Sequence, residues 1–105
     1  MIRRISLVRK RSDLTRDEFL ARWTGEHVEY AKRLEGLQGY VIQILDGEAP
    51  PIDGIAITTF ESREAAERAF SDPELAAGLG RTRDDFADSV EVYFAEEHVI
   101  VEEEQ

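Results

Sequence analysis

The longest periodic stretch of the chain covers residues 15–37 and has the pattern of an amphipathic helix. Thr15 can cap its first turn, and Glu18 can complete a capping box. Gly36 follows the periodic run, and glycine is common at the end of a helix. The apolar and aromatic side chains share one flank, which includes Phe19, Trp23, His27, Tyr30, Leu34 and Leu37, with Leu20 and Ala31 beside them. The pattern therefore predicts one long helix with the His27 imidazole inside its apolar stripe.

Four strands and two further helical regions account for most of the remaining chain. Period-2 alternation or β-branched composition predicts strands at residues 2–10, 40–45 and 54–60, and a last strand that begins at 90, bends at 96–97 and resumes over 98–101. Ser62 can cap a helix over residues 63–70, and an Asp-Pro pair opens another helical region over residues 72–88. Gly78 and Gly80 are expected to interrupt that last region.

The order of elements is β-α-β-β-α-β, which is typical of ferredoxin-like α+β folds with a four-stranded antiparallel sheet and helices on one face. With 105 residues, the chain is expected to form a single domain, residues 1–105. The third strand places Ile55 and Ile57 on one side and Ala56 and Phe60 on the other, so both faces of the sheet carry apolar side chains. Because helices cover one face only, we expect a second copy of the chain to cover the other in a homodimer.

Composition narrows the classes of function. A net charge of −10 argues against nucleic-acid binding through phosphate neutralisation, and no apolar run approaches the ~20 residues needed to span a bilayer. The absence of cysteine excludes disulfides and thiolate catalysis, and we expect a cytoplasmic location. The two histidines, His27 and His98, show no spacing typical of metal ligands, so we expect neither a metal nor a cofactor.

Several short motifs occur together along nearly the whole chain. Phe19, Trp23 and His27 follow one another at intervals of four, and Gly39-Tyr40 opens the second predicted strand. Three later pieces accompany them, namely Asp53-Gly54-Ile55-Ala56 with Phe60, Asp72-Pro73-Glu74, and Asp85-Phe86. In these features the sequence resembles the EthD family, within the dimeric α+β barrel proteins.

The resemblance implies a homodimer in which each subunit holds a small pocket between the sheet and the helices. That family and its neighbours include muconolactone-type isomerases, polyketide cyclases or dehydratases, and proteins of ether degradation without a settled reaction. Carried over to this chain, the resemblance implies that His27 and Tyr40 face the pocket. We expect Phe19, Trp23, Tyr30 and Phe60 to contact the ligand.

The chemistry of these residue types suits proton transfer. A histidine held among apolar side chains is expected to stay neutral at pH 7, and a neutral imidazole can take a proton from a carbon next to a carbonyl. Tyr40 could then donate a hydrogen bond to the enolate oxygen, and Trp23 would supply a flat wall for a ring. The alternative is that His27 is a core histidine whose nitrogens bond to a backbone carbonyl or a water.

The first hypothesis is thus a cofactor-independent isomerase, cyclase or dehydratase that acts on a small hydrophobic, often aromatic, carbonyl compound. A second is a non-catalytic ligand-binding protein, or an accessory protein of an oxidative degradation pathway. A cofactor-free monooxygenase and a dimeric scaffold with a filled core remain further alternatives. The volume of the space beside His27 distinguishes the scaffold, whose core is filled, from the other hypotheses.

Overall fold

Strands and helices alternate along the computed structural model, which describes residues 1–103. The strands are β1 (Ile2–Lys10), β2 (Gly39–Ile44), β3 (Gly54–Phe60) and β4 (Ala87–Glu96). The helices are α1 (Arg16–Arg22), α2 (Val28–Ala31), α3 (Arg63–Phe70) and α4 (Pro73–Asp84), and a π-helical segment, Trp23–His27, joins α1 to α2. The last two positions of the predicted domain, 104 and 105, lie outside the described residues.

The strands form one antiparallel sheet in the order β2-β3-β1-β4. Strand β1 lies at its centre, where it pairs with β3 from Ile2 opposite Phe60 to Val8 opposite Gly54. On its other side β1 pairs with β4, with a shift in register between Arg9 and Lys10. The predicted α+β fold, ferredoxin-like with four antiparallel strands, is therefore confirmed.

The first helical region begins as predicted but does not continue as one regular helix. The Thr15 hydroxyl accepts from the Glu18 N–H at 3.1 Å, and the Glu18 carboxylate accepts from the Thr15 N–H at 2.9 Å. The prediction of a single helix up to Gly36 is wrong, because Gly25 has non-helical torsions (φ −86°, ψ −122°) and the helical run ends at Ala31. A glycine, which has no Cβ, tolerates this break in the helix.

Helix α4 is continuous, so the predicted interruption at Gly78 and Gly80 is wrong. A Cβ on Gly78 would lie 2.5 Å from Cε1 of Tyr30. The missing side chain thus lets the Tyr30 ring pack directly on α4. Packing across the two helical regions outweighs the low helix propensity of glycine.

The last strand differs from its prediction at both ends. It begins at Ala87 rather than at Val90, and it ends at Glu96, so residues 98–101 are not a strand. Glu96 pairs with Ile2, the first residue of β1. The chain beyond Glu96 therefore has no length of β1 left to pair with.

The two faces of the sheet differ in what covers them. Ser6 and Val8 of β1 and Phe60 of β3 are buried beneath the helices. The opposite side, here called the open face, has no described helix over it and carries Ile5, Leu7, Val41, Ile55, Ile57 and Tyr93. The predicted division of β3 into an Ile55/Ile57 side and an Ala56/Phe60 side matches this arrangement.

The core beside the first helical region is organised around the Trp23 ring. Trp23 stacks on Phe86 with centroids 5.3 Å apart and an interplanar angle of 13°, and Phe19 lies 5.3 Å from Trp23 on another side. A Cβ on Gly54 would lie only 2.4 Å from Cζ3 of Trp23. The absence of a side chain at Gly54 thus leaves the space on β3 that the indole occupies.

Among residues 1–103, no helix is both long enough and apolar enough to cross a membrane.

We predict that Gly54→Ala destabilises the protein by about 1–3 kcal/mol, because the added methyl group overlaps a ring that is almost fully buried and cannot move aside. Urea unfolding followed by circular dichroism measures the change.

Gly80→Ala is the matched control for this prediction. A Cβ at Gly80 would have its nearest neighbour at 4.0 Å, on the Arg83 guanidinium, so the variant should be as stable as the wild type or slightly more stable. Equal stabilities of Gly54→Ala and the wild type would contradict the close contact with Trp23.

Candidate functional site

His27 is the last residue of the π-helical segment and is held by a side chain of α4. Its Nδ1 lies 2.7 Å from the Thr82 Oγ1, and that hydroxyl also lies 2.7 Å from the Gly78 carbonyl oxygen. A carbonyl can only accept, so the single hydroxyl proton of Thr82 is donated to Gly78. Nδ1 of His27 must therefore carry a proton and donate it to Thr82. This network assigns the tautomer and leaves Nε2 with a free lone pair.

The imidazole is neutral at physiological pH. The pKa of His27 is lowered from 6.5 to about 4, mainly by burial and also by the positive charge of Arg83, while the Leu79 backbone carbonyl opposes the shift. Phe86 contributes to the apolar surroundings, with its ring 5.0 Å from the imidazole in an edge-on arrangement. Nε2 can therefore act as a base without first losing a proton to solvent.

His27 borders a cavity of about 370 Å³ between the sheet and α4. Its walls are mostly apolar, formed by Val8, Ala56, Val90 and Val92 from the strands together with Trp23, Phe70, Leu79 and Phe86. The polar side chains that reach it are those of Arg4, Ser6, His27 and Arg83. An apolar pocket with a few convergent polar groups is typical of small-molecule sites.

Two arginines contribute positive charge to this cavity. Arg4 extends from β1 over the Phe70 ring, with its guanidinium carbon 3.8 Å from the ring centroid. Burial lowers the pKa of Arg4, and the charge of Arg83 lowers it further. Arg83 is half-exposed and lies 3.6 Å from the Asp84 carboxylate.

A second, more open space lies on the solvent side of the same histidine. Its volume is about 410 Å³, and it is bordered by Ala21, Arg22, Gly25, Glu26, His27, Thr82 and Asp85. Most of these residues are exposed. His27 thus borders both the apolar cavity and this more open space.

The structure brings together two of the six residues expected at the site. His27 and Trp23 line the cavity, whereas Phe19 packs behind the Trp23 ring. Tyr30 packs on Gly78, and its hydroxyl accepts a hydrogen bond from Arg81 at 3.0 Å.

The other two residues, Tyr40 and Phe60, belong to the neighbouring core cluster around Leu34 and Ala66. Burial raises the pKa of the Tyr40 phenol, and the Trp23 side chain opposes that shift. Contact of Phe19, Tyr30, Tyr40 and Phe60 with a ligand stays a prediction.

Arg4, Thr82 and Arg83 were not among the residues predicted for the site. Arg4 had a usable signal, because period-2 alternation places it on the same face as Ser6 and Val8. Thr82 and Arg83 lie in a helix whose inward face could not be assigned before α4 was placed against His27.

Within residues 1–103, no group of three or more His, Asp or Glu side chains could hold a metal ion.

The fold and the cavity define a ferredoxin-like α+β domain with a space of small-molecule size between sheet and helices. The sequence profile of the EthD domain matches residues 11–90. The chain therefore belongs to the EthD family, which confirms the resemblance drawn from its motifs. No curated protein matches the sequence.

Solved structures share the fold at low sequence identity. An ethyl tert-butyl ether D (EthD) family protein from Bacillus halodurans is 18% identical, with a TM-score of 0.78 over 93% of this chain and 99% of that chain. A dimeric protein of unknown function from Bacteroides fragilis, with a ferredoxin-like fold, is 14% identical, with a TM-score of 0.68 over 90% and 94%. SnoaB, a cofactor-independent oxygenase from Streptomyces nogalater, is 15% identical, with a TM-score of 0.65 over 95% and 97%.

We predict that folding stability falls as the pH drops from 6.5 to 4. The folded pKa of His27 is about 4, so the unfolded chain takes up a proton in this window that the folded chain refuses. The loss should be roughly 2 kcal/mol once partial exposure of the ring is allowed for. Urea unfolding at several pH values, compared with the His27→Gln variant, isolates this contribution.

Imidazole NMR gives an independent check of the same ring. The wild type should show protonated Nδ1 and unprotonated Nε2 at pH 7, with a midpoint for His27 near pH 4. His98→Gln assigns the two histidine signals. A His27 midpoint near 6.5, or equal acid sensitivity of wild type and His27→Gln, would contradict the prediction.

Proposed function

We propose that this protein is a cofactor-independent enzyme that transfers a proton on a small hydrophobic carbonyl compound, as an isomerase, cyclase or dehydratase does. The observation that carries the proposal is a neutral imidazole of assigned tautomer beside an apolar cavity of about 370 Å³. A merely structural core histidine would not need open space beside it. The cavity also argues against a scaffold with a filled core.

The proposed reaction begins with removal of a proton from the carbon next to the carbonyl. Nε2 of His27 takes the proton, the C–H electron pair forms a C=C bond, and the carbonyl oxygen becomes an enolate oxygen. In an isomerisation, the imidazolium then returns the proton to another carbon of the conjugated enolate, and the carbonyl is restored. In a cyclisation, the enolate carbon forms a bond to a second carbonyl carbon of the substrate, and the proton goes to the alkoxide oxygen that results. In a dehydration, the enolate restores the carbonyl and forms a C=C bond as the neighbouring C–O bond breaks, and the proton goes to the departing hydroxyl. A pKa of about 4 makes the imidazolium a strong proton donor for this second step.

The neighbouring side chains stabilise the two charged species of this reaction, the His27 imidazolium and the substrate enolate. Thr82 accepts the Nδ1–H bond in both protonation states of His27 and so keeps the ring in one orientation. Arg83 bears positive charge at the same cavity and favours a negative enolate oxygen. Trp23 and Phe86, which stack on each other, contribute apolar wall to the cavity and so favour a ring-shaped substrate. Tyr40 stays a candidate donor, which Tyr40→Phe tests.

We predict that the wild type accelerates hydrogen–deuterium exchange at the carbons next to the carbonyl of 2-indanone, and that His27→Gln slows this exchange by about 100-fold or more. Proton NMR in D₂O measures the loss of signal, with 2-indanone as a small bicyclic ketone probe. Thr82→Val should lower the rate less, because the base remains but its orientation is lost.

His98→Gln is the control for this experiment, because His98 lies beyond β4 and its side chain is 76% exposed. Exchange by His27→Gln at the wild-type rate would overturn the assignment of the base. Saturable binding of the ketone without exchange would favour the non-catalytic ligand-binding alternative. Oxygen consumption on a phenolic substrate would favour the alternative of a cofactor-free monooxygenase; SnoaB is described as a cofactor-independent oxygenase.

The proposal includes a homodimer formed through the open face of the sheet. Four isoleucine and leucine side chains there are only half-buried, and Val41 and Tyr93 are 51% and 53% exposed. Such a continuous apolar surface is uncommon on a monomer. The Bacteroides fragilis neighbour is described as dimeric, which supports the same assembly.

We predict that Ile57→Lys converts a dimer into a monomer, because it places a charge at the centre of the open face, opposite Ile5 and Val41. Sedimentation equilibrium gives the mass, and circular dichroism verifies that the variant is folded. Leu20→Lys, on the exposed side of α1, is the control and should remain dimeric. A monomeric wild type at micromolar concentration would refute the assembly.

A further inference from the structure

The charge of the cavity is opposite to that of the whole protein. The sequence carries 23 Asp and Glu residues and has a net charge of −10. No carboxylate from residues 1–103 lines the cavity, whereas Arg4 and Arg83 both do. With His27 neutral, the cavity thus bears two positive charges inside an acidic protein.

Arg4 has a position that an arginine needed only for solubility would not occupy. Its side chain is half-buried between β1 and the Phe70 ring, and its polar contact is a 3.4 Å hydrogen bond to the Ser6 hydroxyl. Arg4 takes part in none of the ion pairs found in the described residues. The adjacent Arg3, on the other face of β1, is by contrast paired with Glu97 at 2.6 Å. The contact with the Phe70 ring and the Ser6 hydrogen bond offset only part of the desolvation of this guanidinium, which has no carboxylate partner among residues 1–103.

Arg83 reaches the same region from α4. Its charge lowers the pKa values of both Arg4 and His27, so the three side chains lie within electrostatic reach of one another. In the described part of the chain, Arg83 pairs with one carboxylate, that of the exposed Asp84, at 3.6 Å. Two like charges that converge on an apolar cavity repel each other until an anion lies between them.

We propose that Arg4 and Arg83 form an anion subsite that selects cyclic or aromatic carboxylates as ligands. The carboxylate lies against the two guanidinium groups, while the ring occupies the apolar part of the cavity beside Trp23 and Phe86. A guanidinium suits this role because it stays charged when buried and donates two parallel hydrogen bonds to a carboxylate. The inference deepens the proposed function, on which it rests, by naming the substrate class as small carbonyl compounds that carry an acid group.

Benzoate and benzamide provide the test, since they share a ring and differ in charge. Titration of the wild type by chemical-shift perturbation should show benzoate bound about tenfold or more tightly than benzamide. Added salt should weaken the binding of benzoate and leave that of benzamide unchanged. Inorganic phosphate is the third probe, and it should bind more weakly than benzoate because it cannot use the apolar walls.

Variants locate the preference at the two arginines. Arg4→Met and Arg83→Met should each reduce benzoate affinity about tenfold and leave benzamide affinity near the wild-type value. Arg81→Met is the matched control, because Arg81 lies on the same helix but pairs with Glu26 at the surface. Should Arg4→Met fail to fold, Arg83→Met and the comparison of probes on the wild type still decide the question.

Three outcomes would overturn the inference. They are equal affinities for benzoate and benzamide, absence of binding by both at millimolar concentration, and phosphate affinity equal to that of benzoate. His27→Gln separates this result from the proposed function, because it removes the base and keeps both arginines. If His27→Gln loses the exchange activity but still binds benzoate more tightly than benzamide, both proposals are supported. Benzoate preference in a protein without exchange activity would leave the anion subsite standing and refute the enzyme.

Discussion

The contact between Trp23 and Gly54 is the constraint on which the site depends. The indole lies on β3 only because position 54 has no side chain, and it stacks on Phe86 just before β4. This packing attaches the first helical region to the sheet at the residue where the helix changes from α to π. The position of His27, four residues later in the same segment, follows from that attachment.

The site joins three parts of the chain through few but specific contacts. The π-helical segment carries His27, α4 supplies the Thr82 hydroxyl that orients it, and β1 contributes Arg4 from the sheet. π-Helical turns cost stability relative to regular helix and are frequent at functional sites. Here the segment places the His27 imidazole beside α4, with Nδ1 2.7 Å from the Thr82 hydroxyl. The orientation and the surroundings of His27 therefore depend on all three parts of the chain and not on any one element.

Local patterns in the sequence were sufficient for much of the fold. Alternation and β-branched composition predicted β1 and β3 to the residue, and the Ser62 cap predicted the start of α3, because these signals act over a few neighbouring positions. The π-helical segment was missed because residues 15–37 have the periodicity of one regular helix, and the contact of Trp23 with Gly54 joins distant parts of the chain. Thr82 was missed for the same reason, since its partner is 55 residues away in sequence. In β1, Ile5 and Leu7 lie on the open face, whereas Val8 is buried beneath the helices.

The cavity and the open face lie on opposite sides of a single sheet, and this has a consequence for a dimer. Two subunits stacked through their open faces would have their sheets about 10 Å apart, with both cavities on the outside. Each ligand would then enter and leave without crossing the subunit boundary. Such an arrangement favours independent sites with hyperbolic saturation, and it makes association a source of rigidity for the sheet rather than a means of communication between subunits.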